Sequence, residues 1–253
     1  MSSCSTPMAI GDQPIKLIRC STAPICRLRI MDDPTTIPMT YPDAQLCVGG
    51  RAHQVLMAIR SPNVVVLGGF LDQVDCRDLI DLAGPRMKRS SVVHHAQGTR
   101  IDETRTSSGC HFRRGEVALV ADIEQRIAEL TGIPVENGEG LQVLHYLPGQ
   151  HYIPHWDYFP PESPTSADIV RPELGGQRIA TFIAYLNTVP LGGETEFPRA
   201  GIKVAAVQGN ACFFSYRTAD GQPDPLTLHS GNAVIDGEKW IAVKWLREGR
   251  YTR

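Results

Sequence analysis

From Glu139 to the C-terminus the chain is a succession of short β-rich runs with no helical pattern between them. Turn sequences such as Pro148-Gly149 and Asp236-Gly237 separate the runs. Parallel strands need long crossover connections, so this half of the chain favours antiparallel strands in a jelly-roll double sheet. The expected strands are Leu141–Tyr146, the segment around His155, Arg178–Leu186, Thr195–Phe197, Gly201–Val207, Ala211–Tyr216, Leu226–His229 and Trp240–Leu246.

Two helical patterns precede these strands. The first covers about residues 73–84, with Asp72 or Asp75 as its N-cap, and ends at Gly84-Pro85. The second covers Glu116–Leu130 and ends at the Gly-containing turn that follows. We therefore expect a mostly β fold of the α+β class, with helices flanking a double sheet.

The N-terminal part has the composition of an irregular extension. Prolines interrupt it as far as Pro42, and one short strand is expected at Ile25–Ile30. A polar loop from His94 to Gly109 is predicted to act as a lid or to be mobile. We expect an extension over residues 1–60 and one domain over residues 61–253.

Composition excludes several classes of protein. The net charge is −2 and charged residues make up 21% of the chain, which argues against nucleic acid as a partner. The seven cysteines are scattered without a CxxC pair, so we expect reduced thiols in the cytoplasm. No signal-peptide pattern or bilayer-spanning apolar run is present, so no membrane association is expected.

His155 and Asp157 are the first candidates for a metal site. They are two residues apart, so on one strand both side chains leave the same face, with Cβ atoms about 6.5 Å apart. An imidazole nitrogen and a carboxylate oxygen can then converge on one ion. The remaining histidines, which are the candidates for a third ligand, are His53, His94, His95, His111, His145, His151 and His229.

His229 is the best of these candidates. The Pro148-Gly149 turn separates His145 from the first pair, and Pro154 stands between His151 and that pair. His229 ends an expected strand in the last quarter of the chain, where a jelly roll brings a late strand beside an early one. Two histidines and one carboxylate leave open positions, as in non-haem Fe(II) oxygenases, although zinc accepts the same ligands.

Lys239 follows His229 by ten residues, on a strand that alternates polar and apolar residues. A lysine that projects into a barrel needs an anionic partner, because an unpaired buried charge is costly. A 2-oxo acid could bind iron through its 2-oxo and carboxylate oxygens while its far carboxylate reaches Lys239. The alternative is an exposed strand lysine, and the spacing from His229 favours the first interpretation.

An ordered set of motifs runs from about Asn63 to Leu246. Its members are Phe70-Leu71, Arg105–Gly109, Gly138–Tyr146, Gly149, Pro154–Phe159, Gly175–Ile179, Gly192–Thr195, Leu228–Gly231 and Gly237–Trp240. This set resembles the prolyl 4-hydroxylases, which are Fe(II)- and 2-oxoglutarate-dependent dioxygenases, and most closely their compact plant, algal and bacterial type. The resemblance implies a double-stranded β-helix (cupin-like) core that uses Fe(II), 2-oxoglutarate and O2, with ascorbate as reductant.

The resemblance also implies an iron triad and a co-substrate pocket. In that pocket Lys239 pairs with the distal carboxylate of 2-oxoglutarate, and the hydroxyls of Tyr146 and Thr195 hydrogen-bond to the same molecule. The implied iron ligands are His155, Asp157 and His229.

A substrate groove is implied in the same way. The Arg105–Gly109 segment matches a loop that folds over bound substrate. Core packing is the alternative for Trp245, and a surface cation is the alternative for Arg178. Arg247 departs from the family, because close relatives often carry a histidine there. The implied groove residues are Tyr152, Arg178, Trp245, Glu139 and Arg105.

The preferred reaction is hydroxylation of an unactivated C–H bond, at C4 of a prolyl residue in a peptide or protein. One alternative is a hydroxylase of a free amino acid or secondary metabolite, in which the N-terminal extension and the Pro160–Leu174 insert close the groove. A second alternative is a catalytically silent binding module, which the complete set of site residues disfavours. The partner is therefore a peptide, a protein or a small-molecule substrate, and the sequence does not indicate an oligomeric state.

Overall fold

The computed structural model describes residues 15–16, 29–30, 45–94, 98–101, 104–160, 166–218 and 220–252. The α-helices of the described residues are α1 (Gln73–Ala83), α2 (Ala118–Thr131) and α3 (Ser166–Ile169). The strands are β1 (Ile15–Lys16), β2 (Arg29–Ile30), β3 (Gln45–Val48), β4 (Arg51–Ile59), β5 (Asn63–Gly68), β6 (Lys88–Arg89), β7 (Ser91–His94), β8 (Gly98–Ile101), β9 (Ser108–Phe112), β10 (Leu141–Tyr146), β11 (Tyr152–His155), β12 (Arg178–Tyr185), β13 (Leu191–Gly192), β14 (Thr195–Phe197), β15 (Ile202–Val204), β16 (Ala211–Ser215), β17 (His229–Gly231), β18 (Val234–Asp236) and β19 (Lys239–Arg247).

Two antiparallel sheets form the core of the fold. The larger has nine strands in the order β3-β4-β5-β16-β12-β19-β10-β9-β6, and the smaller has four in the order β11-β17-β14-β15. Strands β13 and β18 form a separate pair, as do β7 with β8 and β1 with β2. The expected double sheet with flanking helices is therefore confirmed.

Alternation along the strands gives the larger sheet two apolar faces. On β5, Val65 and Leu67 pack in one cluster with α1 and α2, whereas Val64 and Val66 pack in the other. The second cluster also contains Phe197 from the smaller sheet, so it lies between the two sheets. The helices therefore cover the outer face, and the inner face is enclosed by the smaller sheet.

Both predicted helices are present and end as expected. The Asp72 side chain caps α1 by accepting a hydrogen bond from Asp75 N at 2.8 Å, and Gly84 follows its last residue. Helix α2 ends at Gly132, whose φ of +73° belongs to the left-handed region that glycine adopts without strain.

The strand expected at Leu226–His229 is wrong. Residues Pro225–Thr227 form a 3₁₀ turn, and the strand begins only at His229. Pro225 has no N–H to donate, and the Asp224 side chain accepts from Leu226 N at 2.9 Å, which stabilises the turn.

The polar loop expected from His94 to Gly109 is also partly wrong, because β9 begins at Ser108. Ahead of it, Thr106 N donates to His151 O at 3.0 Å and Ile153 N donates to Thr104 O at 3.0 Å. This segment therefore pairs with β11, which is distant in sequence. Residues 95–97 and 102–103 of the expected loop, 25–28 of the expected first strand and 161–165 of the insert lie outside the described residues.

The larger sheet begins ahead of the domain boundary expected at residue 60. Strands β3 and β4 pair with each other, and β4 pairs with β5. Among the described residues, no helix is long and apolar enough to cross a membrane.

A buried ion pair joins α2 to the larger sheet, and it generates a test of stability. Lys244 of β19 donates to Glu124 of α2, and both side chains are at most 2% exposed. Lys244→Met leaves the Glu124 carboxylate buried without its cation, so we expect a loss of about 3–5 kcal/mol of unfolding free energy. Urea denaturation measures this loss.

The exposed Lys88→Met change is the control and should leave the urea midpoint unchanged. In the double variant Lys244→Met, Glu124→Gln no charge remains unpaired, and the amide oxygen can still accept from Gly115 N. This double variant should recover part of the loss. Equal stability of Lys244→Met and the unmodified protein would show that the pair does not hold the helix.

Candidate metal centre

Three potential metal ligands meet where β11 pairs with β17. In this antiparallel pair His155 lies directly opposite His229, and their ring centroids are 4.3 Å apart. Strand β11 ends at His155, so Asp157 lies in the bend that follows rather than on the strand as expected. The ligand atoms of the three side chains lie within 4.8 Å of one another.

Backbone carbonyls orient both imidazoles. His155 Nδ1 is 2.8 Å from Ile153 O and His229 Nδ1 is 3.0 Å from Thr227 O. A carbonyl only accepts, so each Nδ1 carries the proton and each Nε2 is left with its lone pair. His155 Nε2 is 3.6 Å from Asp157 Oδ1, and His229 Nε2 is 3.4 Å from Asp157 Oδ2.

The electrostatics of the cluster favour the protonation states that bind a metal. Burial, reinforced by the electrostatic effect of the neighbouring His229, lowers the pKa of His155, so its imidazole is neutral at neutral pH. Burial opposes ionisation of Asp157, but electrostatic interaction with the neighbouring His229 and His155 holds its pKa well below the usual value. Neutral imidazole with carboxylate is a donor set that suits Fe(II).

The Asp157 carboxylate has two further partners that sequence reasoning missed. Thr181 Oγ1 donates to Asp157 Oδ2 at 2.6 Å, and the Tyr216 hydroxyl is 3.4 Å from the same oxygen. A signal was present, because Thr181 is the polar member of an otherwise apolar stretch of β12 and shares a face with Ile183.

Lys239 lies beside this cluster, with its side chain between the sheets. It is the cross-strand partner of Tyr146, and its Nζ is 5.5 Å from the Tyr146 ring centroid. A Cβ placed on Gly231, two residues beyond His229, would lie 3.9 Å from Nζ. The ammonium group therefore reaches the strand that carries a candidate ligand.

Lys239 is a buried cation without an anionic partner among the described residues. Its side chain is 2% exposed, and no described carboxylate lies within ion-pair distance of it. Burial lowers its pKa to about 8, against the opposing effect of Glu194. An anionic ligand would remove the penalty of this buried charge, so the residues fit a carboxylate-bearing co-substrate.

Hydroxyl groups border the same space. Thr195 of β14 lies opposite Gly231, and its Oγ1 accepts from the Tyr185 hydroxyl at 2.9 Å. Because Tyr185 donates to it, Thr195 keeps its own proton for another acceptor. The Tyr146 and Thr195 side chains are both buried.

His155 belongs to a stack of three side chains that includes Tyr152 and the buried Arg105. The Tyr152 ring stacks on the His155 ring with centroids 3.6 Å apart, and the Arg105 guanidinium lies 5.0 Å from the centroid of Tyr152. Arg105 donates through Nη2 to Gln142 at 3.1 Å, whereas its buried Nε has no protein partner. Burial raises the pKa of Tyr152 to about 12, so its hydroxyl remains a donor.

The other expected groove residues form a second group. Arg178 makes two hydrogen bonds to Glu139, at 2.7 and 2.9 Å, and its guanidinium lies 4.1 Å from the centroid of Trp245. Arg247 also donates to Glu139, at 2.8 Å. Burial opposes ionisation of Glu139, but the two arginines lower its pKa. Arg178 Nη1 reaches Asp157 O at 3.2 Å, which connects this group to the triad.

The other histidines with described side chains lie outside the triad. Their polar contacts are His53 with Gly69 O at 2.9 Å, His111 with Gln142 at 2.9 Å, His145 with Glu238 at 2.7 Å and His151 with Gly149 O at 3.3 Å.

Comparison with known proteins assigns a class to this fold and site. Residues 141–247 match the 2OG-Fe(II) oxygenase superfamily. The viral collagen prolyl hydroxylase of Paramecium bursaria Chlorella virus-1, in its 2OG complex, is similar with a TM-score of 0.55 and 28% identity, over 73% of this chain and 95% of that one. The protein is a dioxygenase that uses Fe(II), 2-oxoglutarate and O2.

Similarity to plant proteins extends further. The chain is 43% identical over 210 residues to probable prolyl 4-hydroxylase 10 of Arabidopsis thaliana, covering 75% of this chain and 70% of that protein. It is 43% identical over 204 residues to prolyl 4-hydroxylase 5 of the same plant, covering 73% and 68%. The chain belongs to the prolyl 4-hydroxylase family, so the resemblance noted in the sequence is confirmed. The use of ascorbate stays a prediction.

The lowered pKa of Lys239 predicts a pH dependence of co-substrate binding. Its positive charge is lost as the pH rises through about 8, and that charge would attract a carboxylate. Affinity for 2-oxoglutarate should therefore fall from about pH 7 to about pH 9, by at most about tenfold per unit above the pKa. Calorimetric titration of the Mn(II)-loaded protein measures the affinity.

Lys239→Arg is the matched control, because arginine stays charged over this range. Its affinity should vary less with pH than that of the unmodified protein. Parallel pH profiles for the two proteins would contradict the assignment of this dependence to Lys239.

Proposed function

We propose that this protein hydroxylates C4 of a prolyl residue in a peptide or protein. The single observation that carries the proposal is the placement of buried Lys239 beside the cluster of His155, Asp157 and His229. A metal-binding triad and an unpaired cation then border one space between two sheets. Membership of the prolyl 4-hydroxylase family supports the choice of substrate.

In this proposal the three clustered side chains hold Fe(II). Each imidazole would bind through Nε2, since its Nδ1 proton is engaged by a backbone carbonyl. When bound, the metal supplies the oxidative chemistry, in which 2-oxoglutarate and O2 become succinate and CO2 and one oxygen atom enters the C–H bond. The residues assigned as ligands are His155, Asp157 and His229.

Lys239 would pair with the distal carboxylate of 2-oxoglutarate. The adjacent hydroxyls of Tyr146 and Thr195 would hydrogen-bond to the same molecule, since each is buried at the edge of this space. A buried cation and hydroxyl donors fix the co-substrate by charge and direction, and the apolar residues between the sheets exclude water.

A peptide substrate fits the stack that Tyr152 and Arg105 form beside His155. The Tyr152 hydroxyl and the Arg105 Nε, which has no partner among the described residues, can donate to carbonyl oxygens, which a peptide presents at every residue. The aromatic face of Trp245 lies under the Arg178 guanidinium, and Arg178 in turn donates to Asp157 O. We assign Tyr152, Arg178, Trp245, Glu139 and Arg105 to the substrate groove.

One observation favours a second candidate, a hydroxylase of a free amino acid or other small metabolite. Arg247 Nη1 donates to Ile169 O at 3.2 Å and to Gly176 O at 2.7 Å, which holds residues 166–176 beside Glu139. If this segment closes the groove, only a small substrate fits.

A substrate screen separates the two candidates. Proline-rich peptides and free amino acids are each incubated with the Fe(II)-loaded protein, 2-oxoglutarate and O2, and mass spectrometry detects a gain of one oxygen atom. We expect hydroxylated peptide with an equal amount of succinate. Oxidation of free amino acids alone would favour the second candidate.

Asp157→Ala should abolish the substrate-coupled succinate, because it removes a proposed metal ligand. Asp78→Ala, at a half-exposed position of α1, is the control and should retain it. No succinate from the unmodified protein under any substrate, with Asp157→Ala behaving identically, would refute the proposed activity.

Lys239→Met tests the co-substrate pocket. The distal carboxylate would lose its buried cation, so binding of 2-oxoglutarate should weaken by about 2 kcal/mol or more, which is roughly 30-fold. The KM for 2-oxoglutarate at saturating peptide measures the effect. Lys203→Met, on the exposed side of β15, is the control, and an equal KM in both variants would refute the pairing.

The remaining expectations concern the setting of the protein. Cytoplasmic location, with Cys76, Cys110 and Cys212 as buried thiols, stays a prediction. The absence of nucleic-acid and membrane partners, and the division at residue 60, stay predictions as well.

A further inference from the structure

The Asp157 carboxylate is held by a short chain of buried hydroxyl groups. Thr181 is fully buried and lies on β12, and Tyr216, which is 1% exposed, directly follows β16. Thr181 Oγ1 lies 2.6 Å from Asp157 Oδ2, and the Tyr216 hydroxyl contacts Thr181 Oγ1. Two hydroxyl groups from separate segments of the chain therefore meet beside one carboxylate oxygen.

The chemistry of these groups sets the direction of each hydrogen bond. An ionised carboxylate only accepts, so Thr181 must donate its single proton to Asp157. The Thr181 oxygen then has lone pairs for the Tyr216 proton. The direction runs from Tyr216 through Thr181 to Asp157, and donation by Tyr216 favours Thr181 as a donor.

The result is a carboxylate whose two oxygens differ. Asp157 Oδ2 accepts from Thr181 and also lies 3.4 Å from the Tyr216 oxygen and 3.4 Å from His229 Nε2, whereas Oδ1 has the His155 contact at 3.6 Å. A carboxylate fixed in this way meets the metal with little loss of freedom. The oxygen engaged by Thr181 is also the less available one, which favours binding through Oδ1 alone.

We propose that Thr181, supported by Tyr216, is a positioning residue that orients Asp157 for metal binding through one oxygen. Single-oxygen binding leaves coordination positions for the two oxygens of 2-oxoglutarate and for O2. The inference rests on the proposed iron site. If Thr181 is a positioning residue, its hydroxyl contributes more to metal affinity than to the free energy of unfolding.

Metal titration without co-substrate tests the proposal. Co(II) is titrated calorimetrically into the metal-free full-length protein and into Thr181→Val, which keeps the shape of the side chain and removes the hydroxyl. Residues that orient metal ligands typically contribute about 10–100-fold to affinity, so we expect an increase of that size in the Kd. Thr181→Ser restores a hydroxyl and should recover most of the affinity, and Tyr216→Phe should have a smaller effect than Thr181→Val.

Thr131→Val is the matched control. Thr131 is also a buried threonine, 4% exposed, and its hydroxyl donates to Ile127 O at 2.8 Å, far from the triad in sequence. Its loss should change the urea midpoint without changing the Kd for Co(II). This comparison separates a positioning role from the general effect of removing a buried hydroxyl.

Two results would overturn the inference, and they differ in what else they overturn. If Asp157→Ala loses Co(II) binding while Thr181→Val binds as tightly as the unmodified protein, the positioning role is wrong and the iron site stands. If Asp157→Ala binds Co(II) as the unmodified protein does, the proposed iron site is wrong and the inference falls with it.

Discussion

The register between β11 and β17 is the constraint on which the site depends. It places His155 opposite His229, and it places Tyr152 opposite Gly231. A slip of one residue would turn His229 to the other face of the smaller sheet, because side chains alternate along a strand. Gly231 of the same strand β17 has no side chain and lies against the ammonium group of Lys239. Strand β17 therefore borders both the metal-binding cluster and the space for the co-substrate.

Several buried charges among the described residues are held in ion pairs, and Lys239 differs from them. Glu139 is bound by Arg178 and Arg247, and Lys244 is bound by Glu124. Lys239 is as deeply buried as Lys244, yet no described carboxylate forms an ion pair with it. An unpaired buried cation destabilises the fold, so a binding role is the economical explanation of its presence. The missing ion pair of Lys239 is therefore explained by an anionic ligand that binds there.

The sequence predicted the parts of this structure that follow from periodicity and spacing. Both helices and the double sheet were expected, since apolar spacing and turn residues encode them locally. The pairing of Thr104–Thr106 with β11 was not, because its partner lies more than forty residues away, as Thr106 and His151 show. The support of Asp157 by Thr181 was missed for a similar reason: strand alternation gives the face of Thr181, but it does not identify the distant side chain that faces it.

The spacing of ten residues between His229 and Lys239 has a structural meaning. His229 belongs to the smaller sheet and Lys239 to the larger, so the intervening chain crosses from one sheet to the other by way of β18. Gly192 of β13 packs closely against this crossing segment, because a Cβ on Gly192 would lie only 2.3 Å from Ala233 O. On β19, Lys239 then shares a face with Ile241, while Lys244 points to the helices. One inserted residue would exchange these faces, because it would shift the alternation of the whole strand against a fixed crossing. The spacing is thus the chain length that connects a ligand on one sheet to a cation on the other.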